Sequence, residues 1–165
     1  HEDEALVDVL IHVAKNEHDI VRNSAVERLG SLGDPRAVEP LIEILQGKHK
    51  RNIFAATGRF LNDHLNPITL AMNVFGEPVG DREGVAHALG EIGDPRAIDA
   101  LVKATKDGNE RIRSEAVAAL GKIDDPRVFS IIEELADSKD IILSISADEI
   151  LNDLKRERLK KGDRK

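Results

Sequence analysis

The chain has 165 residues, 33% of them charged and 41% hydrophobic, which is typical of a folded domain and too apolar for an intrinsically disordered chain. It has no cysteine, which excludes disulfides and thiolate chemistry, and no apolar run of the roughly 18 residues that a membrane-spanning helix needs. The net charge of −7 divides into −12 over residues 1–154 and +5 over residues 155–165, and an acidic body is a poor surface for nucleic-acid phosphates.

The chain opens with half of a helix pair. Residues 1–16 predict one helix that matches the second helix of a later pair, while its own first helix is missing. The apolar positions at helical spacing are Ala5, Leu6, Val9, Leu10 and Val13.

Residues 17–46 are the first complete helix pair, joined by a short corner. Ala25, Val26 and Leu29 lie on one face of the first helix, and the second helix continues after the corner on its own apolar stripe. Because neither helix can bury its stripe alone, neighbouring pairs must stack.

The corner recurs along the chain: residues 33–36, Gly-Asp-Pro-Arg, return at 93–96 and, with aspartate for glycine, at 124–127. Aspartate is expected to cap the second helix and proline to take its first position, where no amide donor is needed. A glycine three residues before each of these segments is expected to end the first helix in a left-handed conformation. These structural corner positions are Gly30, Asp34, Pro35, Gly90, Asp94, Pro95, Gly121, Asp125 and Pro126.

The spacing of the corners predicts one degenerate repeat. The last two corners are 31 residues apart and the first two are 60 apart, which suggests a hidden unit at about 47–79, with residues 66–68 in place of Asp-Pro-Arg. Two interpretations remain open: a drifted repeat, or a patch reshaped for interaction, since Phe, Met and Arg are favoured at interfaces. The residues concerned are Phe54, Phe60, Phe75, Met72 and the basic run Lys48, His49, Lys50 and Arg51.

The chain is therefore predicted to be one all-α domain, an α-α superhelix or solenoid of stacked helix pairs over residues 1–160. Its last helix lacks a glycine corner and is expected to cap the stack, with a frayed basic tail at 161–165. The predicted parts are a half repeat at 1–16, repeats at about 17–46, 47–79, 80–107 and 108–137, and a capping helix at 138–160.

Residues 25–42, Ala-Val-x-x-Leu-Gly-x-Leu-Gly-Asp-Pro-Arg-Ala-Val-x-Pro-Leu-Ile, closely resemble the HEAT-like repeat of the phycobilisome-lyase type. The resemblance implies stacked antiparallel helix pairs that serve as scaffolds and adaptors. Some HEAT-repeat oxygenases carry His-Glu pairs in successive repeats, which hold two irons. This chain has such a pair only at His1-Glu2, and the corresponding interior helix, residues 81–87, has none. We therefore expect neither that activity nor a cofactor.

Two further patterns are candidate sites. Arg22, Arg82 and Arg113 occupy one repeat position, and together with the corner aspartates they predict a structural ladder between units. Glu83, His87 and Glu91 lie four residues apart, so they are either a weak metal-binding candidate or an ordinary exposed helix face. No nucleophile motif and no phosphate-binding glycine loop is present.

The concave face of a solenoid, lined by second helices, is the usual partner surface. Its outward residues are mixed in charge, which suits a protein and argues against nucleic acid. The sequence therefore predicts a non-catalytic scaffold or adaptor, not an enzyme, in the cytoplasm, with no membrane association. The alternative is a lyase-like or metal-dependent HEAT-repeat enzyme or enzyme subunit. The candidate partner-binding residues are Arg36, Glu39, Glu43, Asp99, Lys103, Lys106, Glu133, Lys48, Lys50 and Arg51.

Overall fold

The computed structural model describes residues 2–16, 19–47 and 80–162, and within these residues it contains helices and no strands, which confirms the all-α prediction. Short 3₁₀ turns at Pro35–Ala37 and Pro95–Ala97 precede two of the second helices. The helices are α1 (Glu2–Asn16), α2 (Asp19–Leu32), α3 (Val38–Leu45), α4 (Gly80–Ile92), α5 (Ile98–Ala104), α6 (Glu110–Lys122), α7 (Pro126–Ala136) and α8 (Ile141–Gly162).

The corner aspartates cap the start of each second helical segment: Asp125 caps α7, and Asp34 and Asp94 cap the 3₁₀ turns that lead into α3 and α5. Each side chain accepts a hydrogen bond from the backbone N–H two residues later, at 2.9 Å in all three corners, and proline follows at the first position. This contact satisfies an amide that the helix leaves without a partner, so the reversal of the chain is encoded locally.

The role predicted for Gly30, Gly90 and Gly121 is wrong. Gly33 and Gly93 adopt the left-handed conformation, with φ of 65° and 69°, whereas the three predicted glycines lie inside α2, α4 and α6 without positive φ. They are needed for close helix packing instead. A Cβ at Gly30 would lie 2.9 Å from the Cα of Ala88, and one at Gly121 would lie 2.6 Å from a methyl carbon of Ile150 on α8.

The first helices form a continuous layer, in which α2 packs on α4, α4 on α6 and α6 on α8. The second helices pack against them, and α1 covers α2 and α3. Leu29, Leu89 and Leu120, the repeated leucines of the first helices, are completely buried between the two layers. Within the described residues, none of the helices has the length and hydrophobicity that a membrane crossing requires.

The unit at 17–46 and the unit at 80–107 are direct neighbours. Helix α2 contacts α4, and α3 contacts both α4 and α5. The prediction of a unit stacked between them, which was based on the 60-residue spacing of the corners, is therefore wrong. Residues 48–79, which hold most of the predicted degenerate repeat and all its singled-out side chains, lie outside the described residues. Residues 163–165 of the predicted tail lie outside them as well.

Candidate functional site

A cleft of about 430 Å³ opens where α2, α4 and α6 meet. Helices α2 and α4 each contribute residues three or four positions apart, which share a helix face, and α6 contributes Glu115. The cleft is therefore assembled from three successive first helices. Its lining residues are Asn23, Val26, Glu27, Glu83, Gly84, His87 and Glu115.

His87 is held in the cleft by a carboxylate of the next unit. Its Nδ1 lies 2.7 Å from Glu115 Oε1, and its Nε2 lies 3.7 Å from Glu91 Oε1, beyond hydrogen-bond range. Glu91 is in turn bound by Lys122, whose ammonium group holds the pKa of that carboxyl below its ordinary value. With the Nδ1 proton donated to Glu115, the Nε2 lone pair of His87 is available.

The weak metal candidate Glu83, His87 and Glu91 is not brought together as a ligand set. Glu91 is paired with Lys122, His87 with Glu115, and Glu83 lies 3.9 Å from the guanidinium of Arg111. In the described part of the chain, no three histidine or carboxylate side chains are close enough together to hold a metal ion. A two-iron centre supplied by His-Glu pairs therefore does not fit the donors of this cleft.

Glu115 was missed by the sequence reasoning. It belongs to the next unit, where it falls 31 residues after Gly84, so the repeat register places it beside His87 on the adjacent helix. A comparison of successive units position by position could have found it, whereas spacing within one helix could not.

The side chains of the repeated arginines donate hydrogen bonds to backbone carbonyls. The acceptors lie in the last turn of the preceding second helix or in the loop after it. Arg22, which is buried, donates from Nε to Ala14 O at 3.0 Å, and Arg82 donates from Nε to Leu45 O at 2.9 Å. Arg82 also pairs with Asp107 at 2.7 Å. Arg22 and Arg82 therefore have a structural role, as predicted. Their partners in these contacts are backbone carbonyls and Asp107, whereas the predicted ladder paired them with the corner aspartates.

The corner aspartates bind the arginine two positions later. Hydrogen bonds from the arginine side chains hold the pKa values of Asp34, Asp94 and Asp125 below their ordinary value of 3.8. Arg36, a predicted partner-binding residue, is attached in this way to Asp34 at 2.8 Å, and it reaches Asp8 of α1 at 3.3 Å.

The other predicted partner-binding residues within the described part are exposed on or just after the second helices. Glu43 also pairs with Lys15 of α1 at 2.7 Å. Lys48, Lys50 and Arg51 lie outside the described residues. A binding role for this surface stays a prediction. Its exposed members are Glu39, Glu43, Asp99, Lys103, Lys106 and Glu133.

Comparison with known proteins identifies relatives. The family model described as HEAT repeats matches residues 1–58 and 77–150. Deoxyhypusine hydroxylase of Rattus norvegicus is 40% identical over 52 residues, which are 30% of this chain and 17% of that protein. The solved structure of human deoxyhypusine hydroxylase in complex with glycerol superposes with a TM-score of 0.66 at 22% identity, covering 96% of this chain and 46% of that one. The chain thus spans less than half the length of either protein.

These findings overturn the prediction of a non-catalytic scaffold that is not an enzyme, because the similar proteins are hydroxylases. The error has a physical source. A solenoid builds a cleft from side chains of several units, as His87 and Glu115 show, so no contiguous catalytic motif need appear in its sequence.

Proposed function

This chain belongs to the HEAT-repeat family, and we propose that it works as a HEAT-repeat enzyme or as one subunit of such an enzyme. The cleft between α2, α4 and α6 is its reactive surface. The similarity to two hydroxylases supports an enzymatic function, and the cleft supplies a place for it.

The observation that carries the proposal is the His87–Glu115 pair. A carboxylate 2.7 Å from Nδ1 fixes the tautomer and the ring orientation, and it leaves Nε2 to accept a proton from a bound molecule. The chain's own contribution is therefore proton transfer at Nε2 of His87. Any metal centre would need ligands beyond those of the described residues.

The charges of the cleft suggest the kind of substrate. Glu27, Glu83 and Glu115 supply three carboxylates to its lining, and a basic amine on the substrate would pair with them. We also propose that the mixed-charge surface of α3, α5 and α7 binds a protein, either the substrate or another subunit, and that the enzyme is cytoplasmic.

A titration with deoxyhypusine, the compound named for the similar hydroxylases, tests the proposal. The ring signals of His87 are followed by NMR, and mass spectrometry detects chemical change of the added compound. We expect saturable shifts at His87 and binding that weakens about tenfold, the effect of about 1.4 kcal/mol, in Glu83→Gln. Glu134→Gln, which removes an exposed carboxylate on α7 outside the cleft, should bind normally.

The catalytic role is tested separately with His87→Gln. If the wild-type chain converts the added compound, this variant should lose conversion, and His12→Gln on α1 should keep it. The absence of both binding and conversion at millimolar deoxyhypusine would refute the proposal. Equal behaviour of His87→Gln and the wild type would refute the role of the histidine.

A further inference from the structure

The α2–α4 interface repeats the α4–α6 interface in detail. A Cβ at Gly30 would lie 2.9 Å from Ala88 Cα and 3.0 Å from its Cβ, and a Cβ at Gly90 would lie 2.7 Å and 2.9 Å from the same atoms of Ala119. The glycine and alanine are 58 residues apart in the first pair and 29 in the second. The same close approach is therefore made across very different lengths of chain.

A second contact joins the end of α3 directly to the start of α4. Arg82, in the first turn of α4, donates to Leu45 O at 2.9 Å, as Arg22 of α2 donates to Ala14 O of α1 at 3.0 Å. In both places the first turn of a first helix is fastened to the last turn of the preceding second helix. The two junctions have the same geometry although only one of them is short in sequence.

The corners supply a third contact. Arg96 donates to Pro35 O at 2.9 Å. Its pKa is raised mainly by the hydrogen bond to Asp94, with a further contribution from the charge of Glu39. Arg36 reaches Asp8 at 3.3 Å, and Asp8 and Glu39 occupy the same position in their units. Each of these two corners thus contacts the unit before it in the spatial stack.

We infer that the units at 17–46 and 80–107 are consecutive in one solenoid, and that residues 48–79 are an insertion between them on which the stacked fold does not depend. The insertion lies between the second helix of one unit and the first helix of the next. The equivalent junction between α5 and α6 is only the five residues 105–109. The family match also leaves out part of it, residues 59–76. This inference is independent of the proposed enzymatic function.

The inference has a consequence for the cleft. Asn23, Val26 and Glu27 of α2 line one side of the cleft and Glu83 and His87 of α4 line the other, and these two helices pack directly on each other. The walls are therefore held by contacts within the solenoid, and the cleft should persist when residues 48–79 are removed.

A double-mutant cycle in the full chain tests the direct contact. Gly30→Ala should lower the Tm, and Ala88→Gly should lower the Tm less in the Gly30→Ala background than in the wild type, because there it also removes one of the atoms that the new Cβ meets. Gly90→Ala with Ala119→Gly should behave in the same way. The mismatched pair Gly30→Ala with Ala119→Gly should be additive. Additivity of the Gly30→Ala and Ala88→Gly effects would overturn the inference.

An excision variant tests independence from the inserted residues. Residues 46–79 are replaced by the five residues of the 105–109 loop, Thr-Lys-Asp-Gly-Asn. We expect a helical, cooperatively unfolding protein in which Gly30→Ala still lowers the Tm and the effects of Gly30→Ala and Ala88→Gly are still non-additive. Loss of cooperative unfolding, or loss of this coupling, would show that the stack depends on the removed residues.

Discussion

Replacing Gly90 with alanine tests how closely the first helices approach each other. The added Cβ would lie 2.7 Å from the Cα, 2.9 Å from the Cβ and 3.3 Å from the carbonyl oxygen of Ala119. Ordinary carbon–carbon contacts are about 3.5–4.0 Å, so the first distance is about 1 Å too short. Because two of the three opposing atoms belong to the backbone of α6, no side-chain rotation relieves the clash. The helices must separate.

The magnitude follows from two opposing effects. Glycine inside a helix costs about 0.5–1 kcal/mol relative to alanine, so the substitution would stabilise an open position. Overpacking costs about 1–3 kcal/mol. Gly84 provides the matched control, because it lies on the same helix and a Cβ there would meet nothing within 4 Å. We expect Gly84→Ala to stabilise the protein by about 0.5–1 kcal/mol, and Gly90→Ala to be about 1–3 kcal/mol less stable than Gly84→Ala.

Urea unfolding followed by circular dichroism measures both variants against the wild type. In thermal unfolding the same difference corresponds to about 2–4 °C for each kcal/mol in a chain of this size. The comparison cancels the effect of the added methyl group on the unfolded chain, which is similar at the two positions. If Gly90→Ala proved as stable as Gly84→Ala, the close packing of α4 against α6 would be refuted.

Three further predictions concern the core, the arginines and the corners. Leu89→Ala removes a completely buried side chain and should lower the free energy of unfolding by about 2–5 kcal/mol, measured in urea. Arg82→Met should cost about 1–3 kcal/mol because it removes the donor to the Leu45 carbonyl and the cation beside Asp107 Oδ2. Arg111→Met, at a side chain that is 78% exposed, should stay within about 0.5 kcal/mol, and equal losses would contradict the structural role of Arg82. The hydrogen bond from Arg96 lowers the pKa of Asp94 in the folded protein, so its contribution is fully present above the ordinary value of 3.8 and is lost as the pH falls through the folded value. Asp94→Asn keeps the helix cap but not the charge, so its urea midpoint should fall less between pH 5 and about pH 2 than that of the wild type. Identical pH profiles would contradict this assignment.

The stacking of the units shows where sequence reasoning was insufficient. The pattern predicted helix pairs, capped corners and a buried apolar layer, and the structure confirms these features at Asp34, Asp94 and Leu89. The same pattern predicted a unit between the first two corners, because 60 residues is about two repeat lengths of 31 residues. That prediction assumes that every repeat length along the chain adds one unit to the stack. The close approach of Gly30 and Ala88 shows instead that the units before and after residues 48–79 are direct neighbours.

The candidate site was predicted only in part. Glu83 and His87 were singled out because they share a helix face, and both line the cleft. Their expected companion Glu91 is bound by Lys122 of the next unit, while the unforeseen Glu115 holds the imidazole ring. Lys122 and Glu115 each lie about one repeat along the chain from the residue that they bind. Which side chains form these pairs therefore depends on how closely the adjacent helices approach each other.

The sequence by itself determined the local structure of this protein. A corner aspartate accepts a hydrogen bond from an amide two residues away, and the proline after it occupies a position where no N–H donor is required. These features depend only on neighbouring residues in the sequence. Only the tertiary structure decided which units are neighbours, why Gly30 and Gly90 must be glycine, and which carboxylate faces His87. These outcomes depend on the approach of helices that are far apart in sequence. Such contacts are selected by the packing of whole helix faces, which no local pattern of residues specifies.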